Sequence, residues 1–281
     1  MKTVKIAGVP EHFNLPWHLC IENGEFEEVG IDLQWIDVPE GTGKMCEMLK
    51  EGEVDLAILL SEGIIKSISD ENPSSILQKY VESPLIWGIH TSVNSNFTSV
   101  NELENEVIAI SRFGSGSHLM SLIHAKSKGW DLANLKFKVV NTIEGAIKAL
   151  SEGEASYFMW EKFMTKPLVD TAIFNRVEEF PTPWPCFVIA GRNEFLSQSA
   201  FVMNQILDII NTTTEEFKQI PSIDRTLATR YDLKIEDVQA WLHHTHWSQN
   251  KLDKLTFEAI QNQLFDLALI KSKKEYKEVV L

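Results

Sequence analysis

The sequence predicts an α/β protein of two lobes, each a mostly parallel sheet flanked by helices, followed by a helical C-terminal part. Three observations predict it. Strand-like and helix-like segments alternate from Val4 to Leu60 and again from Val107 to Trp160. The window Leu49-Lys50-Glu51-Gly52-Glu53-Val54-Asp55-Leu56-Ala57 aligns with Leu150-Ser151-Glu152-Gly153-Glu154-Ala155-Ser156-Tyr157-Phe158 at an offset of 101 residues, close to the 103 that separates the first strands. After Ala190 the strand pattern stops and only helical periodicity remains.

The elements follow in order. Val4–Val9 is a strand stopped by Pro10, Leu15–Asn23 a short amphipathic helix, Ile31–Val38 a strand with alternating apolar residues, and Gly43–Lys50 a second helix. Asp55–Leu60 is a short apolar run of the kind that forms a strand buried on both faces. This β-α-β-α-β order calls for a parallel sheet covered by helices. The second round gives a strand at Val107–Ser111, a helix at Ser115–Lys128, a strand at Phe137–Val140, a helix at Thr142–Leu150 and a strand at Ala155–Trp160. In each copy a helix ends at a glycine, Gly52 or Gly153, which tolerates a left-handed C-cap before the buried strand. Beyond Ala190 come helices at Asn193–Thr213, Ser222–Tyr231, Ile235–His244 and Thr256–Ile270. Asp224 and Thr256 suit helix starts, because their side chains accept hydrogen bonds from first-turn N–H groups. The charged tail Ser272–Val280 is expected to be loosely held.

Composition narrows the function. The 281 residues carry 26 Lys and Arg against 40 Asp and Glu, a net charge of −14, with no basic block, so nucleic-acid binding is not expected. No apolar run approaches the roughly 20 residues that span a bilayer, so no membrane insertion is expected. The chain opens directly into a strand without the apolar stretch of an export signal. Its three cysteines, Cys20, Cys46 and Cys186, are odd in number and lack CxxC spacing, which suits a reducing compartment. A cytoplasmic location is therefore expected, and the sequons at Asn96 and Asn211 carry no meaning there.

Three segments carry a family resemblance: Ile6-Ala7-Gly8-Val9-Pro10 ahead of a loop, Glu51-Gly52-Glu53-Val54-Asp55-Leu56-Ala57 ahead of a buried strand, and Ser111-Arg112-Phe113-Gly114-Ser115-Gly116-Ser117. With two α/β lobes and a helical end, the chain resembles the type 2 periplasmic-binding-protein fold. More narrowly it is similar to the branch of sulfonate, nitrate and thiamine-pyrimidine binding or synthesis proteins, above all to a cytoplasmic subgroup without an export signal. The resemblance implies lobe one at 1–88 plus 190–281, lobe two at 89–189, and hinge crossings near 87–91 and 181–190. It also implies a small solute held between lobes that close about the hinge, at the carboxyl ends of the strands.

Ser111–His118 is the most informative stretch. It follows a buried strand and opens a helix, so its N–H groups and the helix dipole favour an anion. Gly114 and Gly116 permit close backbone approach, Ser115 and Ser117 add hydroxyl donors, and Arg112 can fork onto a carboxylate, sulfonate or phosphate. In lobe one the matching loop holds Gly41 and Thr42, beside an opposing Glu40. After the first strand, Glu11 and His12 can act as a hydrogen-bonding pair and Trp17 offers a flat apolar face. Ser61 and Glu62 end the third strand, and Trp160 and Glu161 end its counterpart. Trp87 and Trp184 stand at the crossings, where an aromatic-lined cleft is expected.

The leading expectation is a cytoplasmic binding protein for a small, anionic organic solute, with no metal and no cofactor. A transporter partner is not expected for such a location. The close histidines His243, His244 and His246 lack an acidic or Cys partner at metal spacing and read as a helix end. The alternative is an enzyme of cofactor biosynthesis on the same scaffold, thiamine-pyrimidine or related, with His12 or His118 as general base and Glu11, Glu62 or Glu161 as partner. Against that stands the absence of the Cys-rich stretch and of a placeable Lys that the resemblance would require for such chemistry. A ligand-sensing regulator is a third reading.

Overall fold

A computed structural model describes residues 1–281. The chain forms two compact units, Met1–Ser83 with Trp184–Leu281, and Pro84–Pro183.

Unit one is built on a five-stranded sheet. Its strands are β1 (Lys2–Gly8), β2 (Ile31–Asp37), β3 (Leu56–Leu60), β4 (Ser74–Val81) and β10 (Phe187–Arg192), in the order β2-β1-β3-β10-β4. β1 runs parallel to β2 and β3, and β10 runs antiparallel to both β3 and β4, so one strand of the five is reversed. Every residue of β3 is buried, as its unbroken apolar run requires. Asp55 ties three strands together just before β3. Its Oδ2 accepts from the Lys5 amide at 2.9 Å, and its Oδ1 accepts from Arg192 Nε and Nη2 at 3.0 and 2.8 Å.

Unit two repeats the plan with β5 (Ile86–Ser92), β6 (Val107–Ile110), β7 (Lys136–Val139), β8 (Tyr157–Glu161) and β9 (Phe174–Pro181), in the order β7-β6-β8-β5-β9. Here β5 is the reversed strand. The correspondence β1 to β6, β2 to β7 and β3 to β8 accounts for the sequence offsets near a hundred residues. A small core of Ala109, Val140, Ala146, Ala149, Leu150 and Phe158 seats the helix Ile143–Ser151. Gly145 in its first turn is obligatory, because a Cβ there would lie 1.9 Å from the Val140 carbonyl oxygen.

Five details differ from the expectations. The divisions at 88/89 and 189/190 would cut through β5 and β10, whereas the units part at 83/84 and 183/184. Each of these strands hydrogen-bonds both neighbours within a single sheet, so the crossings fall in the irregular segments beside them. The long helix expected over Asn193–Thr213 is two, Asn193–Gln198 and Ala200–Glu216, broken at Ser199 (φ −135°, ψ 32°). The last long helix runs Lys254–Asp266, and Asp253 caps it by accepting from the Thr256 amide at 2.9 Å, so Thr256 is the donor and not the cap. Ser222, in a left-handed conformation, precedes the helix Ile223–Tyr231 without a side-chain cap, and Asp224 sits one residue inside. Finally, the charged tail is docked. Val279 and Val280 are buried, and the Leu281 amide donates to the Ile76 carbonyl at 3.0 Å on β4.

Candidate functional site

In unit two the site candidate is the loop that leaves β6. β6 is buried from Ile108 onward, and the chain turns through Ser111–Ser115 into the helix Gly116–Ser127. Ser117 braces the loop: its buried hydroxyl accepts from the Ser111 amide at 3.0 Å and shares hydrogen bonds with the hydroxyls of Ser111 (3.2 Å) and Ser115 (3.1 Å). Ser115 caps the helix by accepting from the His118 amide at 3.3 Å. His118 is buried, and its Nδ1 accepts from the Gly114 amide at 3.1 Å, which leaves the ring proton on Nε2. The serine hydroxyls and the His118 ring therefore hold the loop in shape. For a ligand that leaves the first-turn amides of Gly116 and Ser117, which precede any intrahelical acceptor, and Arg112. Arg112 is half-buried, and its Nη2 is buried without any hydrogen-bond acceptor. Beside them Phe113 stands 65% exposed, edge-on to His118 at 5.2 Å.

The sequence reading missed Asn141. It follows β7 in a left-handed conformation (φ 64°), donates its amide to the Ser111 carbonyl at 3.0 Å, and precedes Thr142, which caps the next helix. The counterpart in unit one is Gly41 (φ 80°) and Thr42. An αL-tolerant residue before a threonine at the start of a helix, each time just after the second strand, was the available signal.

In unit one, several predicted residues meet where β3 ends. Thr42 Oγ1 accepts from the Leu60 amide at 3.1 Å, and its methyl fills the space where a Gly63 Cβ would sit. Ser61 Oγ donates to the Pro185 carbonyl at 2.7 Å. Glu62 is fully buried and accepts from Trp184 Nε1 at 2.8 Å through Oε2, while Oε1 has no partner. Burial pushes the Glu62 carboxyl up to about 7, against the smaller opposing effect of the Trp184 bond. On the neighbouring strand end, burial raises Glu11 to about 7 and holds His12 down at about 3, so the imidazole is neutral. His12 hydrogen-bonds through neither ring nitrogen, so Glu11 and His12 form no pair.

The remaining candidates lie elsewhere. Trp17 is wholly buried in the core of unit one, stacked on Phe26 at 6.2 Å. Trp160 stacks on Phe158 at 5.4 Å against the core of unit two. Glu161 is buried and accepts from the Met164 amide at 2.7 Å, closing the turn after β8. Trp87 is buried on β5 opposite Glu161 in register, with its Nε1 unpartnered.

The reversed strand stands fourth in the sheet of both units, and the whole chain superposes on known structures. Superposition gives a TM-score of 0.88 with the CA3427 gene product of Candida albicans, described as exhibiting the generic periplasmic binding protein fold; identity is 25%, over 98% of this chain and 92% of that one. This chain has the type 2 periplasmic-binding-protein fold. Residues 87–180, nearly all of unit two, match the model of the Ca3427-like PBP family. The alkanesulfonate-binding protein SsuA from Xanthomonas axonopodis pv. citri, bound to MOPS, superposes with a TM-score of 0.81 at 14% identity, over 97% of this chain and 95% of that one. The periplasmic aliphatic sulphonate binding protein SsuA of Escherichia coli gives 0.76 at 14% identity, over 100% and 97%. No curated protein sequence matches the chain. In periplasmic-binding-protein terms, the loop after β6 and the ends of β1 and β3 are carboxyl ends of sheet strands, where open α/β sheets leave room for a ligand.

Proposed function

We propose that the protein binds a small anionic organic solute, with Arg112 and the first-turn amides of Gly116 and Ser117 as the anion's donors. The observation that carries this is the buried Arg112 Nη2 without an acceptor, beside a helix N-terminus. A guanidinium nitrogen taken out of water and left unpaired is costly, and a sulfonate or carboxylate supplies the acceptor it lacks. The exposed ring of Phe113 offers an apolar surface for the solute's body. The names of the SsuA neighbours, alkanesulfonate and aliphatic sulphonate binding, are consistent with this chemistry.

We further read the protein as cytoplasmic and free of cofactor, acting in sensing or sequestration. Three buried cysteines without a disulfide are in keeping with a reducing compartment. His12, held down at about 3 by burial, is far from the near-neutral value a general base needs, so it does not serve as the base of the enzyme reading.

Thermal melts with butanesulfonate, MOPS, butyrate and a matched cation, butylammonium, test the proposal. An anion at about 100 times its Kd adds about 2.7 kcal/mol, or several degrees at about 2–4 °C per kcal/mol. Arg112→Gln should abolish the response. A response to butylammonium alone, or an anion response that survives Arg112→Gln, defeats it.

A further inference from the structure

At the end of β1, polar atoms without partners accumulate around one ring. Both nitrogens of His12, the Nε1 of Trp241 and the hydroxyl of Tyr231 are buried and take no hydrogen bond. They come from three separate elements: the turn His12–Asn14, the C-terminal residue of the helix Ile223–Tyr231, and the helix Ile235–His244. The Trp241 ring lies 4.2 Å from that of His12 at 62°, and the Tyr231 ring 6.0 Å from it at 65°. Phe13 closes the group, 4.8 Å from His12 and 5.2 Å from Trp241.

Ring packing alone explains the aromatic contacts but not the unpaired donors. Folded proteins leave few buried polar atoms unsatisfied, and three neighbouring side chains in that state at the carboxyl end of a sheet strand mark a place where the partner comes from outside the chain. The three groups themselves are uncharged, since burial holds the imidazole unprotonated and pushes the Tyr231 hydroxyl up to about 12, while Arg230, Asp37, Glu11 and Glu22 lie within electrostatic reach of Tyr231. Aromatic faces with both donors and an acceptor suit a planar group with hydrogen-bonding edges.

We propose that His12, Tyr231 and Trp241 form a subsite for an uncharged heteroaromatic ring, whose ring nitrogen accepts a hydrogen bond from Tyr231 or Trp241. The C-terminal helices, in this proposal, belong to ligand selection and not only to the packing of unit one. The sulfonate arm of the test rests on the anion reading of Arg112; the amide arm does not.

Two probe pairs that differ by one ring nitrogen test it: benzenesulfonate with pyridine-3-sulfonate, and benzamide with nicotinamide, titrated calorimetrically into the full chain. A site built around hydrogen-bond donors rejects the analogue without an acceptor, so the nitrogen-bearing member of a pair should bind at least about ten-fold tighter. Tyr231→Phe or Trp241→Phe should bring that preference below about three-fold. Tyr231→Phe should also leave the melting temperature of the unliganded protein unchanged or raised, because it deletes a buried unpaired hydroxyl. A structural tyrosine would show the opposite pattern, a lowered melting temperature with the preference intact. Equal binding of the two members of each pair, a preference that survives both variants, or no binding of any probe overturns the subsite. If both sulfonates fail while nicotinamide is still preferred to benzamide, the Arg112 reading falls and the subsite stands.

Discussion

Glu62→Gln should stabilise the protein above neutral pH and leave it nearly unchanged near pH 4.5. Glu62 is 0% exposed, and burial moves its carboxyl from the ordinary 4.5 to about 7. The folded value lies above the unfolded one, so the folded chain keeps a proton that the unfolded chain has already released. The folded state is therefore favoured most below about pH 4.5, and that advantage is lost as pH rises to about 7. A gap of roughly 2.5 in pKa, at about 1.36 kcal/mol for each unit, comes to ~3 kcal/mol. Glutamine keeps the shape and still offers Trp184 Nε1 an acceptor, but it has no charge to desolvate. Urea melts of both proteins at about pH 4.5, 6 and 8 read the effect directly, with the stability gap growing from near zero to ~3 kcal/mol. Glu11, also raised to about 7, and His12, lowered to about 3, tilt the wild-type profile in opposite directions. The lowered His12 contributes stability above about pH 6.5 that is lost as pH falls toward 3. Both are present in the variant too, so they cancel in the difference. A gap that is the same at pH 4.5 and 8, or a variant less stable at pH 8, refutes the burial argument.

Two further substitutions probe the frame around the site. Ser117→Ala strips the buried Ser111 amide of its acceptor at 3.0 Å, which costs about 1–3 kcal/mol and lowers the melting temperature by about 2–4 °C for each of them; an unaltered melt shows that Ser117 is no brace. Gly145→Ala places a Cβ 1.9 Å from the Val140 carbonyl, and since backbone must move, the loss should exceed about 2 kcal/mol. Gly153→Ala is its control. There φ is 71° with open space around the new methyl, so about 1–2 kcal/mol is expected, and a Gly145 variant no worse than this one contradicts the tight approach.

What could be read from the sequence was what is encoded locally. β3 and β8 declare themselves as short apolar runs, and the loop Ser111–Ser117 concentrates its chemistry in seven consecutive residues. β4 is different. All eight of its residues are buried, yet Ser74, Ser75, Gln78 and Lys79 interrupt the apolar pattern. Their partners are remote in sequence or outside the strand: Ser75 donates to Asn193 at 2.8 Å, Gln78 to Asn211 at 2.7 Å, and Lys79 to Glu82 at 2.7 Å. A buried strand whose polar residues are satisfied from elsewhere in the fold carries no periodic signal. The tail was misread for a related reason, since its charges are visible in the sequence and the β4 edge that receives Val280 is not. At the site, His12 was legible as a loop histidine, but two of the three rings that surround it, those of Tyr231 and Trp241, lie on helices more than two hundred residues later. Trp17 went the other way: a tryptophan after a site loop reads as a ligand platform, and the fold uses it as core.

In the two proposals above, the internal repeat lets one architecture carry two recognition chemistries. The frame has been kept, with the same strand order, the same reversed strand, and the Gly41-Thr42 and Asn141-Thr142 turns in matching places. The residues at the strand ends have not. Where unit one follows β1 with Val9, Pro10, Glu11 and His12, unit two follows β6 with Ser111, Arg112, Phe113 and Gly114. Where unit one follows β3 with Ser61 and the buried Glu62, unit two follows β8 with Lys162 and Phe163. Unit one thus presents a neutral imidazole and carboxyls that burial raises to about 7, and unit two presents a guanidinium and helix-terminal amides. A net charge of −14 opposes anions over the surface at large, so an acidic solute is held only where local donors outweigh that field. Fold alone predicts neither chemistry; in both proposals it is carried by the residues that follow the strands at their carboxyl ends, where open α/β sheets leave room for a ligand.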